Sequence, residues 1–232
     1  EFGHERQPFA VRLGANRFSL QGVDVSLPGF RASLAFREPV FWPSRLLSPS
    51  SMGWYAFMRF MECYHGVIVL DAAVEGTVQG RPLAGGRFYL EKDWGRSFPR
   101  AWVWMQTNTF AGQAEGVSLT CSVARVPFRG REFTGFIIGL LTAGQGRWAS
   151  GALHRFTPYN GARLQEIVFD ERAVRIVARR GDWSLSLRAA REAGAVLASP
   201  IAGAMQGRIE ETLRAQVEVE LRQGSRTVFR GH

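Results

Sequence analysis

Three segments gather ionisable and amide side chains among aromatic rings: Met61-Glu62-Cys63-Tyr64-His65-Gly66, Tyr89-Leu90-Glu91-Lys92-Asp93-Trp94-Gly95, and Trp102-Val103-Trp104-Met105-Gln106-Thr107-Asn108-Thr109-Phe110. In the second, Tyr89, Glu91 and Asp93 share parity, so an extended backbone points all three to one side, about 7 Å apart. Such a row could hold a shared proton. A carboxyl packed among tryptophans is desolvated, its pKa rises, and it becomes a donor at neutral pH, which is what protonating an alkene or a carbonyl requires. Nearby aromatic faces would stabilise the resulting cation through their quadrupoles. Lys92 takes the other face, where it is better placed to pair elsewhere.

In the third segment one strand face carries Trp102, Trp104, Gln106, Asn108 and Phe110. Two indoles beside two amides are unusual for a core. Buried amides cost roughly 1 to 3 kcal/mol when unpaired, so they should bond neighbouring strands or a ligand. Glu62, Tyr64 and Trp94 complete the candidate ligand contacts, and His65 and His154 are the interior histidines available for acid-base work. Plainer uses stand beside these. Glu91 and Asp93 can be salt-bridge or turn-capping groups, Glu62 and His65 a structural pair, and Trp102 and Trp104 core. Glu211 sits on the apolar face of its strand, either in a cavity or at a barrel mouth, with the mouth favoured.

The elements that must position these groups are strands. Short alternating runs bounded by glycine recur, the pattern of a β-meander or barrel, and helical periodicity is scarce. Runs are expected at 67–70, 74–79, 87–92, 101–110, 117–126, 132–141, 164–169, 174–179, 183–189 and 226–230, with one long two-faced strand from Ile209 to Arg222. Gln79-Gly80-Arg81-Pro82, Ala143-Gly144-Gln145-Gly146 and Arg180-Gly181-Asp182 supply turn residues. The prolines from Pro39 to Pro49 should break strand pairing, and the apolar 51–58 segment should enter a core or cavity wall. The expectation is an all-β chain, an antiparallel lipocalin-like β-barrel. Residues 1–232 then form one β unit, with a partial N-terminal lobe at 1–48 and the main barrel at 49–232.

The 232 residues are 46% hydrophobic and 12% aromatic, which excludes a disordered chain. The formal net charge of +9 would attract nucleic acid if it were clustered. Arginines are instead scattered singly, Lys92 is the single lysine, and a solvated positive surface is the expected use. Cys63 and Cys121 lack the spacing of a zinc site and could form at most one disulfide. No metal is expected. With no stretch of about 18 apolar residues, a soluble, cytoplasmic chain, at most peripheral to a membrane, is expected. The start at Glu1 reads as truncated or processed, with further N-terminal strands lacking.

MECYHG, YLEKDWGRSFPRAWVWMQTN and FTGF resemble the hallmark motifs of the tocopherol cyclase family, with SPSSMGWYAF and SPIAGAMQGRIEETL as weaker companions. The resemblance runs from about Arg12 to the end. It implies a lipocalin-like barrel related to carotenoid hydratases, with an internal site that closes a chromanol ring. An acid protonates the prenyl double bond, the phenol oxygen attacks the tertiary cation, and no redox cofactor is needed. In the related hydratases a Tyr-x-acid motif supplies the proton. The matching positions are Tyr89 and Glu91, supported by His65 and the tryptophans, with Asp93 as runner-up. Plant cyclases resemble Glu-Lys-Asn-Trp-Gly at this point, so an amide there is an acid here.

Two functions compete. One is an acid-catalysed cyclase or hydratase acting on a prenylated or terpenoid substrate. The other is a non-catalytic carrier of a hydrophobic small molecule, which needs the cavity but tolerates loss of Glu91, Asp93 and His65, because apolar burial at about 25 cal/mol per Å² holds the ligand. Nucleic acid is not expected as a partner.

Overall fold

The computed structural model describes residues 2–6, 9–58, 61–83, 85–112, 115–128, 131–144 and 151–232. The chain is all-β and lipocalin-like, with 68% of the described residues in strands and curled antiparallel pairing. It divides into two compact units, Glu1–Trp42 with Val67–Glu91, and Pro43–Gly66 with Lys92–His232.

The first unit is built on a sheet of eight strands among the described residues. They are β1 (Phe2–Arg6), β2 (Phe9–Leu13), β3 (Asn16–Ser19), β4 (Gly22–Leu27), β5 (Phe30–Phe41), β6 (Cys63–Val78), β7 (Arg81–Leu83) and β8 (Arg87–Gly95). The first seven pair in sequence order, and β8 also pairs with β6. The runs expected at 67–70 and 74–79 are therefore one strand. Its turn into β7 holds Gln79 at φ 52° and Gly80 at φ 73°, the doubly left-handed turn that matches strand twist. Val23, Phe36, Val69, Ala72, Val74 and Leu90 form the core of this unit, with Phe88 packed against it. Phe36 and Phe88 stack at 4.2 Å. Pairing falters where the prolines predict, but Pro39 lies inside β5. The register shifts around Arg37 and Val40, Glu38 takes φ 48°, and the strand ends at Phe41.

The second unit carries β9 (Trp102–Thr107), β10 (Ser118–Phe128), β11 (Arg131–Thr142) and β12 (Ala152–Phe156) in one sheet, in the order β12-β11-β10-β9. A five-stranded sheet follows, of β13 (Arg163–Phe169), β14 (Ala173–Arg180), β15 (Trp183–Ala190), β18 (Val217–Gln223) and β19 (Arg226–Gly231). The two sheets share one core, with Leu119, Cys121, Ile138, Leu140 and Phe156 from the first and Ile176, Leu185, Leu187, Val219 and Leu221 from the second. Strands β16 (Ala195–Ile201) and β17 (Ala204–Glu211) form a separate hairpin. The turn expected at 143–146 lies partly outside the described residues.

The long strand expected from Ile209 to Arg222 is two strands. β17 stops at Glu211 and β18 begins at Val217, so β17 pairs with β16 while β18 joins the five-stranded sheet. The break sits where the Thr212 hydroxyl takes the Arg214 N–H at 3.3 Å, offering the backbone a local alternative to the ladder. Leu213 is fully exposed. Alternation across the break was coincidental, and Glu211 is a solvent-facing hairpin residue.

Candidate active site

Strand β8 has one apolar face and one ionisable face. Leu90 lies in the core cluster and Phe88 packs against it, so the strand's period of two turns Arg87, Tyr89, Glu91 and Asp93 the other way. Each makes a specific bond. The Arg87 guanidinium grips Asp71 of β6 with both forks, Nε to Oδ1 at 3.0 Å and Nη2 to Oδ2. Asp71 is fully buried. The Tyr89 hydroxyl donates to Glu91 Oε2 at 2.5 Å, and both side chains are part-buried. Asp93 Oδ1 lies 2.7 Å from His65 Nδ1. Asp93 is the wetter carboxylate, its side chain 33% exposed.

The Met61–Gly66 and Tyr89–Gly95 motifs meet because β6 and β8 pair. Tyr64 stacks on Trp94 at 5.3 Å, nearly parallel, and its hydroxyl donates to the Met58 carbonyl. Lys92 sits over the Trp94 ring at 5.1 Å, the use that its opposite face allows. A side chain on Gly66 would press on Trp94 at 3.2 Å. Gly95, at φ 154°, brings its Cα so near the Glu62 carbonyl that a Cβ would stand 2.0 Å from the oxygen. The next two N–H groups, of Arg96 and Ser97, donate to that same carbonyl. Glu62 therefore works through its backbone. Its side chain is exposed, and the acidic partner of His65 is Asp93.

The backbone of His65 is held from a segment that the sequence reading assigned only to a core or cavity wall. Its N–H points at Met52 Sδ (3.2 Å), and its carbonyl accepts from the Ser51 hydroxyl (2.9 Å). The Ser51 carbonyl in turn accepts from the Tyr159 hydroxyl at 2.6 Å. Only the first half of the 51–58 segment is buried. Ser51 to Gly53 are, whereas Trp54 and Phe57 of the 3-10 turn Gly53–Phe57 are exposed. Ser51, Tyr159, Asp71 and Arg87 were not legible as site residues, although the parity of Arg87 with Tyr89 was a usable signal.

These segments also carry a relationship to known proteins. Residues 33–230 match the family model described as Tocopherol cyclase-like. The chain belongs to the tocopherol cyclase-like family. Among curated proteins it is similar to "Tocopherol cyclase, chloroplastic" of Zea mays, 35% identical over 80 residues, which is 32% of this chain and 16% of the maize protein. It is similar also to "Probable tocopherol cyclase, chloroplastic" of Oryza sativa subsp. japonica, 34% identical over 80 residues, with the same shares. The aligned part is thus about a sixth of those relatives' length. No solved structure matches the chain significantly.

Two of the tocopherol cyclase-like motifs, separated by about a hundred residues, are tied by backbone bonds. Phe98 N–H donates to the Pro200 carbonyl and Gly203 N–H to the Arg96 carbonyl at 2.6 Å. The Ala202 N–H donates to the Ser97 hydroxyl at 2.9 Å. The β16–β17 hairpin thereby fixes the chain leaving β8.

In β9, Met105 lies in the core and Val103 packs on it, so Trp102, Trp104 and Gln106 occupy the other face. Phe110 does not join them. It lies beyond the end of β9, in the core, edge-on to Phe229 at 5.5 Å. His154 packs on Trp183 at 4.6 Å, and burial, helped by the Arg180 charge, lowers its pKa. Cys63 and Cys121 are free thiols. Burial pushes both up to about 12, with the Asp93 charge adding to the effect at Cys63. Neither is a thiolate nucleophile near neutral pH. No described helix is long and apolar enough to cross a membrane.

Proposed function

We propose that this chain closes a ring on a prenylated, hydrophobic substrate by acid catalysis, with Glu91 as the proton donor. Family membership supports a cyclase-type enzyme. The observation that carries the assignment to Glu91 is its 2.5 Å bond from the Tyr89 hydroxyl, on the face of β8 turned away from Phe88 and Leu90.

Glu91 in its acid form gives its proton to the less substituted carbon of the prenyl double bond. The π electrons make the new C–H bond and leave a tertiary cation. A phenol oxygen of the same substrate attacks the cation, the C–O bond forms, and the phenol proton returns to Glu91. The product is an isomer of the substrate, and neither oxidant nor reductant is consumed. While Glu91 is ionised, the Tyr89 O–H stabilises it, since hydrogen bonds to charged groups are stronger than neutral ones. Asp93, bonded to His65, stands second as the acid.

A carrier of the same molecule is the second reading. It is favoured by the fact that both carboxylates of the row are already engaged, Glu91 by Tyr89 and Asp93 by His65, as in a structural network. The test is to extract and identify lipid retained by the wild type, Glu91→Gln and Asp93→Asn, then incubate each with a prenylated hydroquinone. Product from the wild type, reduced about a hundredfold or more in Glu91→Gln, supports the cyclase. Loss in Asp93→Asn alone would move the acid to Asp93. Equal ligand retention with no product from any of the three makes the chain a carrier.

A further inference from the structure

We infer that the turn at 45–48, with Leu46 and Leu47 at its tip, and the nearby rings of Trp54 and Phe57 dock this chain on an anionic lipid surface. Docking of this kind is separate from the chemistry of Glu91 and serves an enzyme or a carrier alike.

The stretch from Pro43 to Met58 is folded on itself by short-range bonds. Arg45 and Ser48 exchange both of their N–H to carbonyl bonds at 2.9 Å. The Ser44 hydroxyl donates to the Pro49 carbonyl at 3.1 Å just outside them. Two residues are left at the tip. Such positions ordinarily go to Gly, Pro, Asn, Asp or Ser, whose φ preferences or side-chain bonds make the turn. Here both are leucine, 89% and 78% exposed, so neither turn chemistry nor burial within the chain accounts for them. A few residues on, the 3-10 turn Gly53–Phe57 leaves Trp54 and Phe57 exposed as well, and Trp54 stacks on Tyr55 at 4.2 Å.

These apolar groups stand on a fastened base. Between the two turns Ser51 is fully buried and Met52 nearly so. The Ser51 hydroxyl donates to the His65 carbonyl, and the Ser51 carbonyl accepts from the Tyr159 hydroxyl. The Gly53 N–H closes onto the Ser50 carbonyl, and the Tyr64 hydroxyl holds the Met58 carbonyl. Little order remains to be imposed on docking, which is what preorganisation contributes to binding.

Charge selects the partner. From Pro43 to Met58 the one charged residue is Arg45, and there is no acid. Of the 29 Lys and Arg and the 20 Asp and Glu, seven of each lie in Glu1–Trp42 with Val67–Glu91, which leaves 22 and 13 in the unit that carries the loop. The whole net charge of +9 therefore belongs to that unit. Anionic headgroups attract such a unit, the leucine tip enters the acyl boundary, and an indole suits the headgroup level. An apolar socket on another protein would take the leucines but has no use for the charge.

The test is flotation of the whole chain with vesicles of phosphatidylcholine, alone or mixed with phosphatidylglycerol. Binding to the mixed vesicles is expected to be about tenfold or more tighter than to the neutral ones, and to weaken as salt is raised. Leu46→Ser with Leu47→Ser should weaken it about tenfold or more, with an unchanged melting temperature because both side chains already face water. Brominated acyl chains should quench the tryptophan fluorescence of the wild type more than that of Trp54→Phe. Failure to float with the mixed vesicles, equal binding to neutral ones, or binding untouched by the double serine change overturns the proposal. So does a wild-type dimer in light scattering that the double change converts to monomer, which would give the leucines to a second copy. The vesicles hold no substrate to cyclise, so failure of the cyclase assignment leaves this result untouched.

Discussion

The Tyr89 hydroxyl donates to the carboxylate of Glu91, two residues along the same face of one strand, over 2.5 Å. A hydroxyl donated to an acid gives the tyrosine a use that its ring alone would not have. Tyr89→Phe keeps the ring and removes the donor to Glu91 in the state that follows proton transfer. Turnover of a prenylated hydroquinone should fall about tenfold to a hundredfold, the worth of a hydrogen bond to a charged group, with little change in KM. Steady-state kinetics check this, and an unchanged kcat would remove Tyr89 from the mechanism.

Gly95 is required by the backbone of Glu62. Gly95→Ala would place a methyl 2.0 Å from the Glu62 carbonyl oxygen at φ 154°, and nothing on a flexible side chain can yield. A loss of roughly 3 kcal/mol in urea unfolding is expected. Gly112→Ala, where nothing stands within 4 Å of a Cβ, serves as a comparison that carries only the cost of its own φ of 67°.

Arg87, its side chain 20% exposed, holds the fully buried Asp71 in a bidentate pair. Removing one partner strands the other charge, so Arg87→Met should cost about 3 to 5 kcal/mol. The double change Arg87→Met with Asp71→Leu should recover much of the loss, because two apolar groups no longer need desolvated charge to be matched. A double-mutant cycle by denaturant melts measures it. Additive losses would show that the pair is not coupled.

Stability should fall in alkali. Burial holds the Cys121 thiol at about 12 in the folded chain against an ordinary 9.0, so the folded state keeps a proton that the unfolded state gives up. That contribution is fully present below pH ~9 and is lost as pH rises towards ~12. Urea midpoints at about pH 8 and about pH 10.5 should differ less in Cys121→Val than in the wild type. An equal difference in both would assign the alkaline loss to other groups.

The ionisable face of β8 was legible because it is local. Tyr89, Glu91 and Asp93 differ by two positions, and an extended chain needs no tertiary information to align them. The His65–Asp93 bond was not legible, since it exists only once β6 and β8 pair, and the nearer acid, Glu62, offered a more obvious partner. The Ser51–His65–Tyr159 brace was hidden for the same reason, as it joins segments about a hundred residues apart. The alternation from Ile209 to Arg222 misled in the opposite direction. Period two persists through Thr212 to Gln216, but a local hydroxyl bond breaks the strand there and leaves Leu213 in solvent. Phe110 shares parity with Trp104 yet enters the core, because β9 ends at Thr107 and parity has no meaning beyond a strand's end.

Acid-catalysed ring closure is tested most directly by running the wild type with a prenylated hydroquinone in deuterated water and weighing the product. Protonation of the alkene by an exchangeable acid must place one solvent deuterium on carbon, next to the new ether carbon, in each molecule formed. Product one mass unit heavier, with deuterium at that position and its formation lost in Glu91→Gln, is the expected result. Recovery of unlabelled, uncyclised substrate from both proteins would contradict the assignment and leave a carrier in its place.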